Sequence, residues 1–116
     1  MSDVRVELLF LDGCPSHERL LPALRALVAE AGAELVLRRV GTTEAAQQAR
    51  FLGSPTVRVN GRDVDPGADA RTDYGLQCRL YRFAGLGPSP LPPEDWIRAA
   101  LDAARAQAND DSTRHR

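Results

Sequence analysis

The chain is expected to fold as one α/β domain in the order β-α-β-α-β-β-α, and three observations lead there. An apolar run of strand length, Val4 to Leu11, breaks at Asp12-Gly13 and gives way to Leu20, Leu21, Leu24, Leu27, Val28 and Ala31 at the spacing of one helix face. A second strand-length run, Glu34 to Val40, ends at Gly41. Thr56-Val57-Arg58-Val59 alternates apolar and polar, and the Asn60-Gly61 that follows is the strongest short-range hairpin signal.

The elements follow in order. The first strand spans Val4–Leu11 and the first helix Ser16–Ala31, with Gly32 at its C-cap side. After the second strand, Thr42 or Thr43 can cap a short helix through Arg50 that Gly53 stops. The third strand is Thr56–Val59, and Arg62–Asp65 pairs back against it. Residues 66–92 carry Pro66, Pro88, Pro90 and Pro92 and read as an irregular insertion, with one short strand at Cys78–Arg82. Within it, Leu76, Leu80 and Tyr81 suggest a partly buried strip in which the Cys78 thiol can pack, and Arg71, Arg79 and Arg82 read as a solvated face before they read as a site for an anionic thiol such as glutathione. The last helix is expected from Pro93 to Gln107, burying Trp96, Ile97, Ala100, Leu101 and Ala104. The domain then covers residues 1–107, and 108–116 reads as a flexible polar tail. The pairs Asp63/Asp65 and Glu94/Asp95 fit turn and cap duties.

Composition narrows the function classes. At 116 residues the chain suits one domain with a modest core, and 43% apolar with 27% charged residues is ordinary for a globular protein. A net charge of −1 gives no electrostatic case for nucleic acid or a membrane surface. No apolar stretch reaches the length of a spanning helix, and the first residues lack a basic region followed by a long apolar one. The expected location is therefore cytoplasmic, where two cysteines read as redox-active or metal-binding before they read as a structural staple. Glycine-rich phosphate loops, HExxH and nucleophile-elbow serines are absent from the sequence.

The chemistry centres on Cys14. It lies at the first turn of a helix, where free backbone N–H groups and the positive dipole end favour thiolate over thiol. His17, one turn on, can hydrogen-bond that sulfur or donate a proton to a departing thiol. Asp12 works the other way, because a nearby carboxylate raises a thiol pKa. Cys14, His17 and Cys78 offer three soft or borderline metal ligands, with His115 on the tail. A structural zinc site needs four at tighter spacing, so no resident metal is expected. Two thiolates would suit copper(I) or mercury by softness. No organic cofactor is required for thiol exchange.

These motifs carry a resemblance. Cys14-Pro15-Ser16-His17 resembles the glutaredoxin-type Cys-Pro-x-Cys site, with His17 replacing the second cysteine. Pro22 matches the proline in the active-site helix of thioredoxins, and Gly53-Ser54-Pro55-Thr56 with the Asn60-Gly61 hairpin looks like that superfamily's strand start. The nearer likeness is to short bacterial thioredoxin-like proteins with Asp-x-Cys-Pro, Gly-Ser-Pro-Thr and a late Cys-Arg-x-Tyr, variously labelled selenoprotein-like or alkylmercury-lyase-like. The resemblance implies a thioredoxin-like three-layer fold and a cis Ser54-Pro55 bond lying against Cys14. It implies that Ser54, Pro55 and Thr56 position a substrate disulfide, and that the protein is a thiol–disulfide oxidoreductase or redox sensor. Its partners would be protein or small-molecule thiols, glutathione among them.

The change at position 17 leaves two routes: Cys14 working alone through a mixed disulfide, or Cys78 resolving it. In the expected topology the third strand starts, and the fourth ends, at the sheet edge where the first strand delivers Cys14. The insertion carrying Cys78 therefore leaves the fold beside Cys14. Two other classes stay open: a soft-metal binding protein using both thiols, and a non-catalytic interaction module.

Overall fold

A computed structural model describes residues 3–83 and 87–114, with side chains described through residue 108. Strand β1 (Arg5–Phe10) is followed by α1 (Pro15–Ala31), β2 (Glu34–Arg39), α2 (Thr43–Ala49), β3 (Thr56–Val59), β4 (Arg62–Asp63) and α3 (Glu94–Arg114), with one 3-10 turn at Ala68–Ala70. The strands form one mixed sheet in the order β2-β1-β3-β4. β1 runs parallel to β2 and antiparallel to β3, and β4 returns antiparallel to β3.

The alternation along β1 sends side chains to both faces. Val6 and Leu8 are fully buried with Leu20, Leu24, Leu27 and Val28 of α1 and Ile97 and Leu101 of α3. Leu9 points to the opposite face, where it meets Val40, Ala46 and Phe51 around α2. Helices therefore cover both sides of the sheet, and the resulting α/β architecture has the expected element order.

Local chemistry sets the boundaries. Gly32 closes α1 in the left-handed conformation, at φ 65°. Thr42 caps α2 by accepting the Ala45 N–H at 3.0 Å. That helix ends at Arg50, itself left-handed at φ 53°, and not at Gly53. Asn60 and Gly61 take the two positive φ angles, 50° and 83°, that a tight hairpin turn requires. Pro22 lies inside α1 without ending it.

Three expectations need correction. Cys78–Arg82 is not a strand but two isolated bridges, Ser54 with Cys78 and Tyr81 with Ser89. Strand β4 ends at Asp63, short of Asp65: one further bond runs from the Val64 N–H to the Val57 carbonyl at 3.0 Å, and the Asp63 carboxylate accepts the Asp65 N–H and turns the chain. The last helix runs to Arg114, beyond Gln107, since Ala108-Asn109-Asp110-Asp111-Ser112 contains neither glycine nor proline to stop it. Among the described residues no helix is long and apolar enough to cross a membrane.

Candidate dithiol site

Three elements meet at one sheet edge. β1 delivers Cys14 through a turn in which Gly13 adopts φ 80° and the Cys14 N–H reaches back to the Leu11 carbonyl. Cys14 is the N-cap of α1, with extended backbone and Pro15 in the first turn. β3 begins at the same edge with a cis Ser54-Pro55 bond. Ser54 ties this point to β1, its hydroxyl accepting the Leu11 N–H at 3.1 Å.

The third element is the insertion, which lies along residue 54 like a strap. The Ser54 N–H donates to the Gln77 carbonyl at 2.8 Å, and the Arg79 N–H donates to the Ser54 carbonyl at 2.9 Å. Cys78, held between those two bonds, brings its Sγ to 3.8 Å from Cys14 Sγ. Both cysteines are free thiols, Cys14 only 5% exposed and Cys78 exposed.

A buried charge network anchors the strap. Arg79 is 2% exposed. Its guanidinium donates to Asp63 at 2.7 and 3.1 Å, to Asp65 at 3.3 Å and to the Thr56 hydroxyl at 3.0 Å. It also lies over the Tyr81 ring at 4.4 Å, and the Tyr81 hydroxyl donates to the Pro55 carbonyl. Burial disfavours the charge on Arg79, but the Asp63 hydrogen bonds and the neighbouring anionic groups outweigh it and raise its pKa. Arg79 Nε is without a hydrogen-bond partner, alone among the buried side-chain nitrogens and oxygens of the described residues.

Gly53 makes the close approach of the strap possible. It sits at φ 127°, and a Cβ placed there would lie 2.9 Å from Arg79 Cβ and 3.0 Å from the Gln77 carbonyl oxygen.

The two thiols are driven apart in acidity. Burial works to raise the Cys14 pKa, yet hydrogen bonds from Ser54, the Ser16 backbone, Cys78 and the Ser16 side chain lower it overall. The Cys78 pKa is raised by its hydrogen bond to Cys14, then by the Cys14 charge and by burial. Cys14 is thus expected to ionise below the ordinary cysteine range and Cys78 above it. Ultraviolet thiolate absorbance across pH should show two separate steps. In Cys78→Ala the Cys14 step should move to higher pH, because the anion loses a donor. In Cys14→Ala the Cys78 step should move to lower pH. Steps that stay in place in both variants would mean that the sulfurs do not interact.

Other expected site residues land differently. His17 does not touch the Cys14 sulfur. Its Nδ1 lies 2.6 Å from the Cys14 backbone oxygen, and its ring stacks on Phe10 at 4.3 Å between centroids. It faces a hollow of about 470 Å3 lined also by Leu21, Pro22 and Leu37, with neither cysteine in the lining. Asp12 is turned outward into an ion pair with Arg39 at 2.6 Å. Ser54, Pro55 and Thr56 are buried beneath the strap, so no exposed surface at those residues is open to a partner. Among the described residues no group of three or more histidine, cysteine or acidic side chains is placed to hold a metal. His115 lies outside the described residues.

The strap faces the other way from the sequence expectation. Arg79, expected on a solvated face, is buried, whereas Leu76 and Leu80, expected to be partly buried, are 43% and 50% exposed. Asp63 and Asp65 do serve the turn, Asp65 accepting the Gly67 N–H at 2.8 Å, but they also hold Arg79. The available signal was the strict alternation Leu76, Cys78, Leu80 against Gln77, Arg79. It gave the period and left the direction open.

The class these observations define is a mixed α/β domain with a paired-thiol site at one sheet edge. No protein-family model, curated protein or solved structure matches the chain.

Proposed function

We propose that this protein is a thioredoxin-like thiol–disulfide exchange protein, an oxidoreductase or redox sensor, whose working group is the pair Cys14 and Cys78. The reading rests on the 3.8 Å separation of two sulfurs that lie far apart in sequence. A disulfide bond is about 2.0 Å long, and side-chain rotation over a modest distance closes that gap. The chemistry is a two-electron exchange. The dithiol gives two electrons and two protons to a partner disulfide, a Cys14–Cys78 bond forms, and the partner leaves as two thiols. Cys14 is the internal nucleophile, since its thiolate persists at lower pH than that of Cys78. Protein or small-molecule thiols, glutathione included, are the proposed partners, and a reducing cytoplasm is the proposed setting.

The test is equilibration with mixtures of oxidised and reduced glutathione, rapid alkylation and mass spectrometry. A reversible internal disulfide is expected, and it should vanish in Cys14→Ser and in Cys78→Ser. Thiols that stay reduced under every mixture would end this reading and leave the fold as an interaction module.

The same sulfur pair favours a second reading, retention of a soft ion such as copper(I) or mercury between two thiolates. Stoichiometric metal carried through a desalting column by the reduced protein, without any internal disulfide, would select it.

A further inference from the structure

The two sulfurs differ most in who can reach them. Cys14 is 5% exposed, covered by the strap, and its neighbours Ser54, Pro55 and Thr56 are buried as well. Cys78 is exposed. At its bridge to Ser54 the strap is extended, so successive side chains from Gln77 onward point to opposite sides, and a bend at Leu76 precedes it. Gln77 turns inward, its amide donating to the Leu52 and Asp73 carbonyls, and Arg79 turns inward to Asp63. Cys78 and Leu80 therefore share the outer side, Leu76 is exposed beside them, and the two leucines are among the few large apolar side chains exposed on the described surface, at 43% and 50%.

The backbone points the same way. Ser54 pairs with the residues on either side of Cys78, which in a parallel bridge directs the N–H and C=O of Cys78 itself away from Ser54. No described residue hydrogen-bonds either group. An exposed thiol between two exposed leucines, with an unpaired peptide group on the same residue, matches what an extended polypeptide can use: main-chain hydrogen bonds, and contacts for alternate side chains.

Resting on the exchange reading above, we infer that the partner sulfur bonds to Cys78 and not to Cys14, and that the partner is an extended polypeptide carrying apolar residues beside its cysteine and lying along residues 76–80. With the reduced protein, Cys78 attacks the partner disulfide as its proton passes to the Cys14 thiolate 3.8 Å away; a mixed disulfide forms, and the released partner thiolate takes that proton from Cys14. Cys14 thiolate then attacks Cys78 Sγ, the internal bond forms, and the second partner thiolate leaves. In reverse, a partner thiolate attacks Cys78 Sγ and the electron pair of the broken bond stays on Cys14, the better leaving group because its thiolate is the more stable.

The experiment uses the full chain and two synthetic peptides, one with leucines and one with serines flanking a single cysteine. The oxidised wild-type protein receives a pulse of each peptide thiol, is quenched in acid, and the attachment point is read by mass spectrometry. Peptide is expected on Cys78. With activated mixed disulfides of the same peptides, Cys78 in Cys14→Ser should react roughly tenfold faster than Cys14 in Cys78→Ser, because access limits the buried sulfur. The leucine-flanked peptide should be preferred by about three- to tenfold, and Leu76→Ser with Leu80→Ser should erase that preference. Peptide found on Cys14 overturns the inference. Equal rates for the two peptides and for glutathione overturn its polypeptide part in favour of a small thiol. Failure of the exchange reading looks different: the wild-type protein never forms the internal disulfide, so there is no oxidised protein to pulse.

Discussion

Asp63→Ala is expected to destabilise the protein by about 3–5 kcal/mol, the usual cost of removing one partner of a buried ion pair. Arg79 is 2% exposed and its nearest anion, Asp63, takes two of its hydrogen bonds. Without that carboxylate, only Asp65 at 3.3 Å remains to balance the charge. The loss should appear as a lower urea midpoint with an unchanged slope. Desolvation of a cation drives the effect, so Asp63→Ala combined with Arg79→Met should recover part of the loss, since the buried charge is then gone. A single-variant loss below about 1 kcal/mol would show that the guanidinium escapes to water, and the buried network would not be the anchor described.

Gly53→Ala should have the next largest effect, a loss of about 1–3 kcal/mol from backbone strain alone. Its φ of 127° disfavours any side chain, and the new methyl would press on Arg79 Cβ at 2.9 Å and on the Gln77 carbonyl at 3.0 Å. Those atoms belong to the strap on both sides of Cys78. Relief by moving the strap lengthens the distance between the sulfurs. The variant should therefore form its internal disulfide more slowly than wild type, beyond what its stability alone explains. Gly13→Ala provides the comparison, since it also carries a positive φ, 80°, but a Cβ there meets nothing within 4 Å. Equal disulfide rates in both variants would mean that Gly53 does not set the position of Cys78.

Much of the site is legible in the amino-acid sequence. The break at Asp12-Gly13 followed by helical spacing placed Cys14 at the start of α1, and it is the N-cap. The antiparallel hairpin marked by Asn60-Gly61 fixed the direction of β3 and β4, and direction alone sends the insertion past Cys14. Both inferences use local rules: turn chemistry and hydrophobic period act on neighbours in sequence. The hydrogen bond expected from His17 to the Cys14 sulfur is not made, for a related reason. Position one turn after the cysteine put it within reach, but Phe10 offers its ring a stacking surface and the Cys14 carbonyl takes its Nδ1.

The sequence alone determined the order and type of the elements, the place of Cys14 and the tight turn that returns β4, because each depends on residues within a few positions of one another. Tertiary structure alone decided which way the strap faces. Its alternation fits either side, and apolar preference would bury Leu76 and Leu80 and expose Arg79. Two carboxylates from the β4 turn, a missing side chain at Gly53 and the hydroxyl of Thr56 create a polar socket that suits only the guanidinium. Once Arg79 is seated, the period of an extended chain turns Leu80 to water and swings Cys78 to 3.8 Å from its partner. Those groups come from distant parts of the chain, and only folding brings their charges and empty space together.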